Sequence, residues 1–332
     1  MRFKLLKEDV SLLIKGFLDR DIKVIGTMKK QDQYVFTQIH DPDAFTANYV
    51  PTILPLKKYF IPQRETLLHY DKKQEMFENP DILEHEKQLT IYMGIRGCDF
   101  ESIKILDEMM LTNETDLYYH ARRKNSLFFV FDCEKPVDKD CFCYMLHKKD
   151  MTGADAVFYD HGSYYLLEIL HETAIKILSP MIDILQKTNE KIPNQGMDTD
   201  DYDWLMNRQE DLMDDHKVEK VCREEAEQCL DCGSCVMVCP TCYCFTIQDE
   251  DDVNMAKGKR VRAWDGCMLT DFSLVAGGHH LVSNGVERAI HRFSRKYKNA
   301  LKHHDRFLCV GCGRCSRVCP AKNNIKTMLK SL

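Results

Sequence analysis

What this sequence lacks narrows its class before any motif is read. No apolar run among its 332 residues approaches the roughly 18 that a membrane span needs. The opening stretch carries Arg2, Lys4, Lys7, Glu8, Asp9 and Lys15, which interrupt any signal-peptide core, so a cytoplasmic protein is expected. The formal charge is only −6 with both signs interspersed, and nothing in it calls for nucleic acid or a membrane surface as partner. The first 97 residues hold no cysteine, yet the chain has sixteen, and twelve of them fall between Cys222 and Cys319. In a reducing compartment those thiols stay free, which makes metal or cluster ligation their leading account.

The expected fold class is α+β. Lys7 to Asp19 has a helical period with Val10, Leu13, Ile14 and Phe17 on one face, and strand-like runs follow at Asp21 to Gly26 and Tyr34 to Ile39. Gln88 to Ile95 reads as a buried strand that hands over, through Arg96-Gly97-Cys98-Asp99, to a helix with Asp99 as its cap. Ser126 to Cys133 is the next strand, so the order is that of a right-handed βαβ unit. Ala154 to Leu170 reads as a hairpin, and His171 to Lys191 as a helix broken near Pro180. These segments make an N-terminal mixed α/β domain over 1–193. An acidic stretch with eight Asp or Glu residues, 194–215, is read as an exposed linker with a short helix. Beyond it, 216–332 is expected to be a mainly helical, ferredoxin-like domain, with no strand alternation between its two motifs.

Those motifs are explicit. Cys229-x₂-Cys232-x₂-Cys235-x₃-Cys239-Pro240 and Cys309-x₂-Cys312-x₂-Cys315-x₃-Cys319-Pro320 both match the spacing that holds a pair of [4Fe–4S] clusters. Three thiolates on a tight turn face one cube, and the fourth, displaced onto the following helix, reaches the other. Cys229, Cys232, Cys235 and Cys319 are therefore expected to hold the first cluster, and Cys309, Cys312, Cys315 and Cys239 the second. Zinc also uses Cys-x₂-Cys, but zinc spacing does not supply four cysteines plus proline twice. No dinucleotide or P-loop glycine pattern accompanies them, nor a further paired cysteine set of the kind that holds sirohaem. A conductor of electrons without a substrate site of its own is the expectation.

Cys98, Cys133, Cys141 and Cys143 are expected to meet at the carboxyl edge of the sheet and hold a third [4Fe–4S] cluster, with Cys98 at a helix N-terminus that favours the thiolate. Inert buried thiols are the first reading of Cys222, Cys242, Cys244 and Cys267, and a further metal or cluster site is the alternative for the last three. The pairs His279-His280 and His303-His304 are read as ordinary surface histidines. Arg288, Arg292, Arg295, Lys296, Lys298 and Lys302 are read as a solvated basic face, with a dock for an acidic electron carrier as the alternative.

The sets Arg96-Gly97-Cys98-Asp99, Cys141-Phe142-Cys143, the first motif with Cys242 and Cys244, Trp264-Asp265-Gly266-Cys267-Met268, Ala276 to His279 and the second motif resemble a known family across most of the chain. It is that of the A subunit of anaerobic sulfite reductase and the β subunit of cytoplasmic sulfhydrogenases; Pro62 to Asp71 is similar as well. The resemblance implies an electron-relay subunit, not catalytic alone, between a flavin subunit that oxidises NAD(P)H and a catalytic partner. That partner carries sirohaem in the sulfite reductase type and a nickel–iron site in the hydrogenase type. Gly97 stands where the hydrogenase type usually has proline, which leans toward the sulfite branch, and Gly266 where both usually have serine. A scaffold or sensor with structural clusters is the rival of another class.

Overall fold

The computed structural model describes residues 1–78, 88–193 and 200–332 of the chain. Its main sheet has eight strands: β1 (Arg2–Leu6), β2 (Lys23–Lys30), β3 (Gln33–Gln38), Thr90–Ile95, Ser126–Phe131, Ala156–Asp160, Tyr164–Ile169 and Gln186–Lys187. Two more strands, β4 (Arg64–Asp71) and β5 (Met76–Glu78), precede Thr90–Ile95 in the chain and belong to another sheet, so the remaining main-sheet strands are β6 to β10. The order is β10-β1-β9-β8-β7-β6-β2-β3, with β2, β6, β7 and β8 mutually parallel at the centre.

The period of two decides which face each side chain takes. Along β7, Leu127, Phe129 and Phe131 enter one core, while Phe128 and Val130 enter the other. The first core is closed by helix α1 (Val10–Leu18), whose Leu13, Ile14 and Phe17 are fully buried, each worth about 1.5–3 kcal/mol relative to exposure. The second is closed by α2 (Gly97–Leu111) through Phe100, Ile103, Leu106 and Met110. β6 breaks its alternation at Gly94, where the pairing with β7 slips between Met93 and Ile95. Gly94 has φ +78°, and a Cβ there would lie 2.7 Å from the Phe45 ring. The bulge puts Ile95 in the same core as Tyr92, and it re-aims the strand end that carries Arg96, Gly97 and Cys98.

The C-terminal part builds its own core. Helices α3 (Asp215–Gln228) and α4 (Gly285–Lys296) start at side-chain caps, Asp214 and Asn284, and pack Val218, Val221 and Cys222 against Ala289, Phe293 and Tyr297. Leu205 and Leu212 of the acidic stretch are buried in this same core, and residues 194–199 lie outside the described residues.

The expectation of no strands between the motifs is corrected. Phe245–Asp251 (β11) and Lys257–Trp264 (β12) form a hairpin that pairs through β12 with β4, giving a sheet of order β11-β12-β4-β5. These strands show no apolar alternation because they are held by charge. Arg260 meets Asp249 at 2.7 Å, Lys259 meets Glu250 at 3.2 Å, and buried Arg262 binds Glu65 of β4 at 2.6 Å. Val261 is the fully apolar residue of β12 that the fold buries.

Candidate iron–sulfur centres

The two motifs fold alike. Gly233 and Gly313, at φ +68° and +71°, lead into single-turn helices over Ser234–Met237 and Arg314–Arg317. Glycine tolerates that left-handed turn, which lets the backbone double back around a small space. Cys229, Cys232 and Cys235 of the first motif line one cavity of about 20 Å³ together with Cys319 and Cys315 of the second. A second cavity, of about 50 Å³, is lined by Cys239, Cys309 and Cys315, and also by Cys242, Cys244 and Cys267. Cys312 faces a third and larger one, about 310 Å³, whose wall holds Cys98, Cys133, Cys141 and Cys143. Cys312 nonetheless stays within electrostatic reach of Cys239, Cys309 and Cys315. Among the described residues no group of three or more His, Cys, Asp or Glu side chains is spaced for a single metal ion. The cavities offer thiols set around a space, the arrangement a polynuclear cluster fills.

The donor set fits such a cluster electrostatically. Burial pushes the Cys309 thiol up to about 11 and Cys141 and Cys143 up to about 12, so these groups hold their protons until iron replaces them. Positive charge is buried beside them to meet the thiolates that form. Arg314 is 1% exposed and lies 2.8 Å from Asp99, itself fully buried, and the guanidinium also donates to Thr52 O at 2.7 Å. Arg292 lines the first two cavities and binds Glu225 at 3.1 Å. Lys57, fully buried, donates to Cys242 O at 3.0 Å, and Lys296 donates to Thr241 O at 3.0 Å. At the rim, Cys232 is exposed, and the Ser234 hydroxyl beside it holds its thiol below the ordinary value.

Several expectations change here. Asp99 is not a helix cap: α2 begins after Arg96, and Asp99 turns inward to Arg314. The Cys98 thiol is raised, not lowered, because burial comes first and the adjacent Asp99 carboxylate adds to it, outweighing the helix end. The basic stripe of α4 is not a solvated face. Arg288 is buried against Asp231 at 2.7 Å, Arg292 is largely shielded where it meets Glu225, and Lys296 reaches Thr241, so its inner side serves the cysteine loops. Of the histidine pairs, His304 contacts Glu108 at 2.7 Å and His280 contacts Thr270 O at 3.1 Å.

Residues that motif spacing did not reveal include Lys57, from a 3₁₀ turn remote in sequence, and His147, whose Nε2 lies 2.6 Å from Cys309 O. Arg314 was visible only as a motif spacer; its burial against Asp99 carries the signal.

Residues 228–323 match the family described as a 4Fe-4S dicluster domain, which indicates [4Fe–4S] clusters. Over 308 residues, 90% of this chain and 89% of its relative, the sequence is 30% identical to sulfhydrogenase 2 subunit beta of Pyrococcus furiosus.

Proposed function

We propose, from a chain that belongs to the family of the sulfhydrogenase β subunits, that this protein is an electron-relay subunit of an oxidoreductase complex. The observation that carries the reading is the crossed cavity, in which Cys319 of the second motif lines the same space as Cys229, Cys232 and Cys235 of the first. In this reading Cys229, Cys232, Cys235 and Cys319 hold the first [4Fe–4S] cluster, and Cys309, Cys312, Cys315 and Cys239 the second. A third is held by Cys98, Cys133, Cys141 and Cys143, which share the largest of the three cavities with Cys312. Bound clusters supply one-electron storage at these positions.

The chain's own residues set the conditions for that storage. Exposed Cys232 favours the first site as the one nearest a partner, while Cys312 of the second motif is buried. Arg314 and Asp99 span from the second motif to the strand end that carries Cys98, which fixes the spacing between the second and third sites. We place a domain over 1–193 and a ferredoxin-like domain over 216–332, so that the relay crosses between them.

The donor proposed is a flavin subunit that oxidises NAD(P)H. For the acceptor, the relative's name favours a hydrogenase subunit, the type to which the family resemblance gives a nickel–iron site. Gly97, where that type usually carries proline, favours a sirohaem sulfite reductase subunit instead. Among the described residues no helix is long and apolar enough to cross a membrane. Copurification of the native complex with cofactor analysis tests the choice: nickel supports the hydrogenase partner and sirohaem the sulfite reductase partner. Recovery of the chain without any redox partner would contradict the relay itself.

A further inference from the structure

Three thiols remain beside the second motif once the crossed assignment has taken Cys239, Cys309 and Cys315. Cys242 and Cys244 leave the first motif just before β11, and Cys267 follows β12 by three residues. The last pair of that hairpin is Phe245 with Trp264, and Asp265 N donates to Cys244 O at 3.2 Å. The open end of the hairpin therefore sets Cys244 and Cys267 side by side. Gly266 closes the gap to the first motif: a Cβ there would lie 2.5 Å from Val236 Cγ2, so the Asp265–Met268 turn lies directly on the Ser234–Met237 helix. All three thiols line one cavity with Cys239.

The charge around this cavity needs an anion. Lys57 is 2% exposed and is held by Cys242 O at 3.0 Å and by the Trp264 ring, 3.9 Å from its centroid. The Lys296 ammonium is held by Thr241 O at 3.0 Å and Thr241 Oγ1 at 2.7 Å. Among the described residues no carboxylate pairs with either lysine. A buried ammonium left without an anion is strongly destabilising, whereas thiolates bound to iron supply one. Arg295, which donates to the Tyr243 hydroxyl, and Arg292 line the cavity together with Lys296.

We propose that Cys242, Cys244 and Cys267 hold a further [4Fe–4S] cluster, with Lys57 and Lys296 as its countercharges and one iron left without a thiolate from this set. It goes beyond the relay reading and depends on Cys239 being a ligand of the second cluster. With it, Cys222 alone among the sixteen cysteines has no cluster, and Cys222 is fully buried among apolar side chains.

Native mass spectrometry of the anaerobically purified full chain counts the cubes without any substitution. Four cubes, about sixteen irons, are expected. Iron and sulfide analysis then assigns them: Cys267→Ser and Cys242→Ala each lose about a quarter of the iron, and Cys222→Ala loses none. The proposal is overturned if both variants keep all their iron while Cys319→Ala loses some, or if zinc rather than iron leaves with Cys267. Should the variants fail to fold, a wild-type count of three cubes, one of them lost in Cys98→Ala, also overturns it. Three cubes with none lost in Cys98→Ala and one lost in Cys267→Ser supports this site and removes the one at Cys98 instead.

Discussion

Phe142 N donates to Gly311 O at 2.7 Å, joining the Cys141-Phe142-Cys143 loop backbone to backbone with the second cluster motif. The contact is close enough that a Cβ on Gly311, at φ +63°, would lie 2.5 Å from the Cys143 Cα. Gly311 thereby seats cysteines from distant parts of the chain around neighbouring spaces. Gly311→Ala is expected to cost more than ~1 kcal/mol, because both the left-handed φ and the backbone contact oppose the methyl group. Chemical denaturation of the holoprotein measures it; an unchanged midpoint would show that the loop does not dock as described.

Replacing one partner of the Arg314–Asp99 pair leaves the other charge buried and unmatched. Arg314→Met or Asp99→Leu should each destabilise by ~3–5 kcal/mol, and the double variant by less than the sum. Thermal melts of the four proteins check this. Strict additivity would mean the 2.8 Å contact carries no coupling.

Crossed ligation makes a sharper statement about Cys319. Its replacement by serine should alter the spectroscopic signature of the cluster shared with Cys229, Cys232 and Cys235, and spare that of its sequence neighbours. Electron paramagnetic resonance of the reduced variant resolves the two. Loss confined to the Cys309 cluster would reverse the assignment.

Legibility in the sequence followed the physics of each signal. The βαβ unit could be read because β6 and β7 are buried on both faces and Gly97–Leu111 has an apolar stripe. The eight motif cysteines could be read because ligand spacing is a local property. β11 and β12 could not, since Arg260, Arg262, Asp249 and Glu250 hold them in place of a buried apolar face. The inward turn of Arg292 and Lys296 was equally hidden, because a charged residue on a helix looks the same in sequence whether it meets water or a thiolate loop. That Cys98, Cys133, Cys141 and Cys143 share a cavity followed from strand order, and only Gly94 and its bulge show how β6 delivers Cys98 there.

Iron ligation must displace protons from buried thiols. Burial raises Cys309 to about 11 and Cys143 to about 12 in the metal-free chain, so both are protonated at neutral pH. Binding stabilises the deprotonated form, so cluster assembly releases protons and becomes more favourable as pH rises toward those values. Reconstitution from pH 6.5 to 8.5 should show rising iron affinity with proton release by calorimetry in two buffers. Affinity that falls with pH would contradict the assigned protonation.

The isolated chain should reduce neither sulfite nor protons with NADPH, since the reading gives it no hydride or substrate site. Adding the flavin subunit should permit bleaching of the cluster absorbance. Turnover by the single subunit would refute the relay assignment.

The most direct measurement is an anaerobic redox titration of the full chain followed by electron paramagnetic resonance. The relay account predicts that the motif clusters accept and return one electron each, reversibly, at potentials within the range such clusters span, roughly −700 to +450 mV. Clusters that stay silent over the physiological part of that range, or that break down when reduced, would make them structural and contradict it.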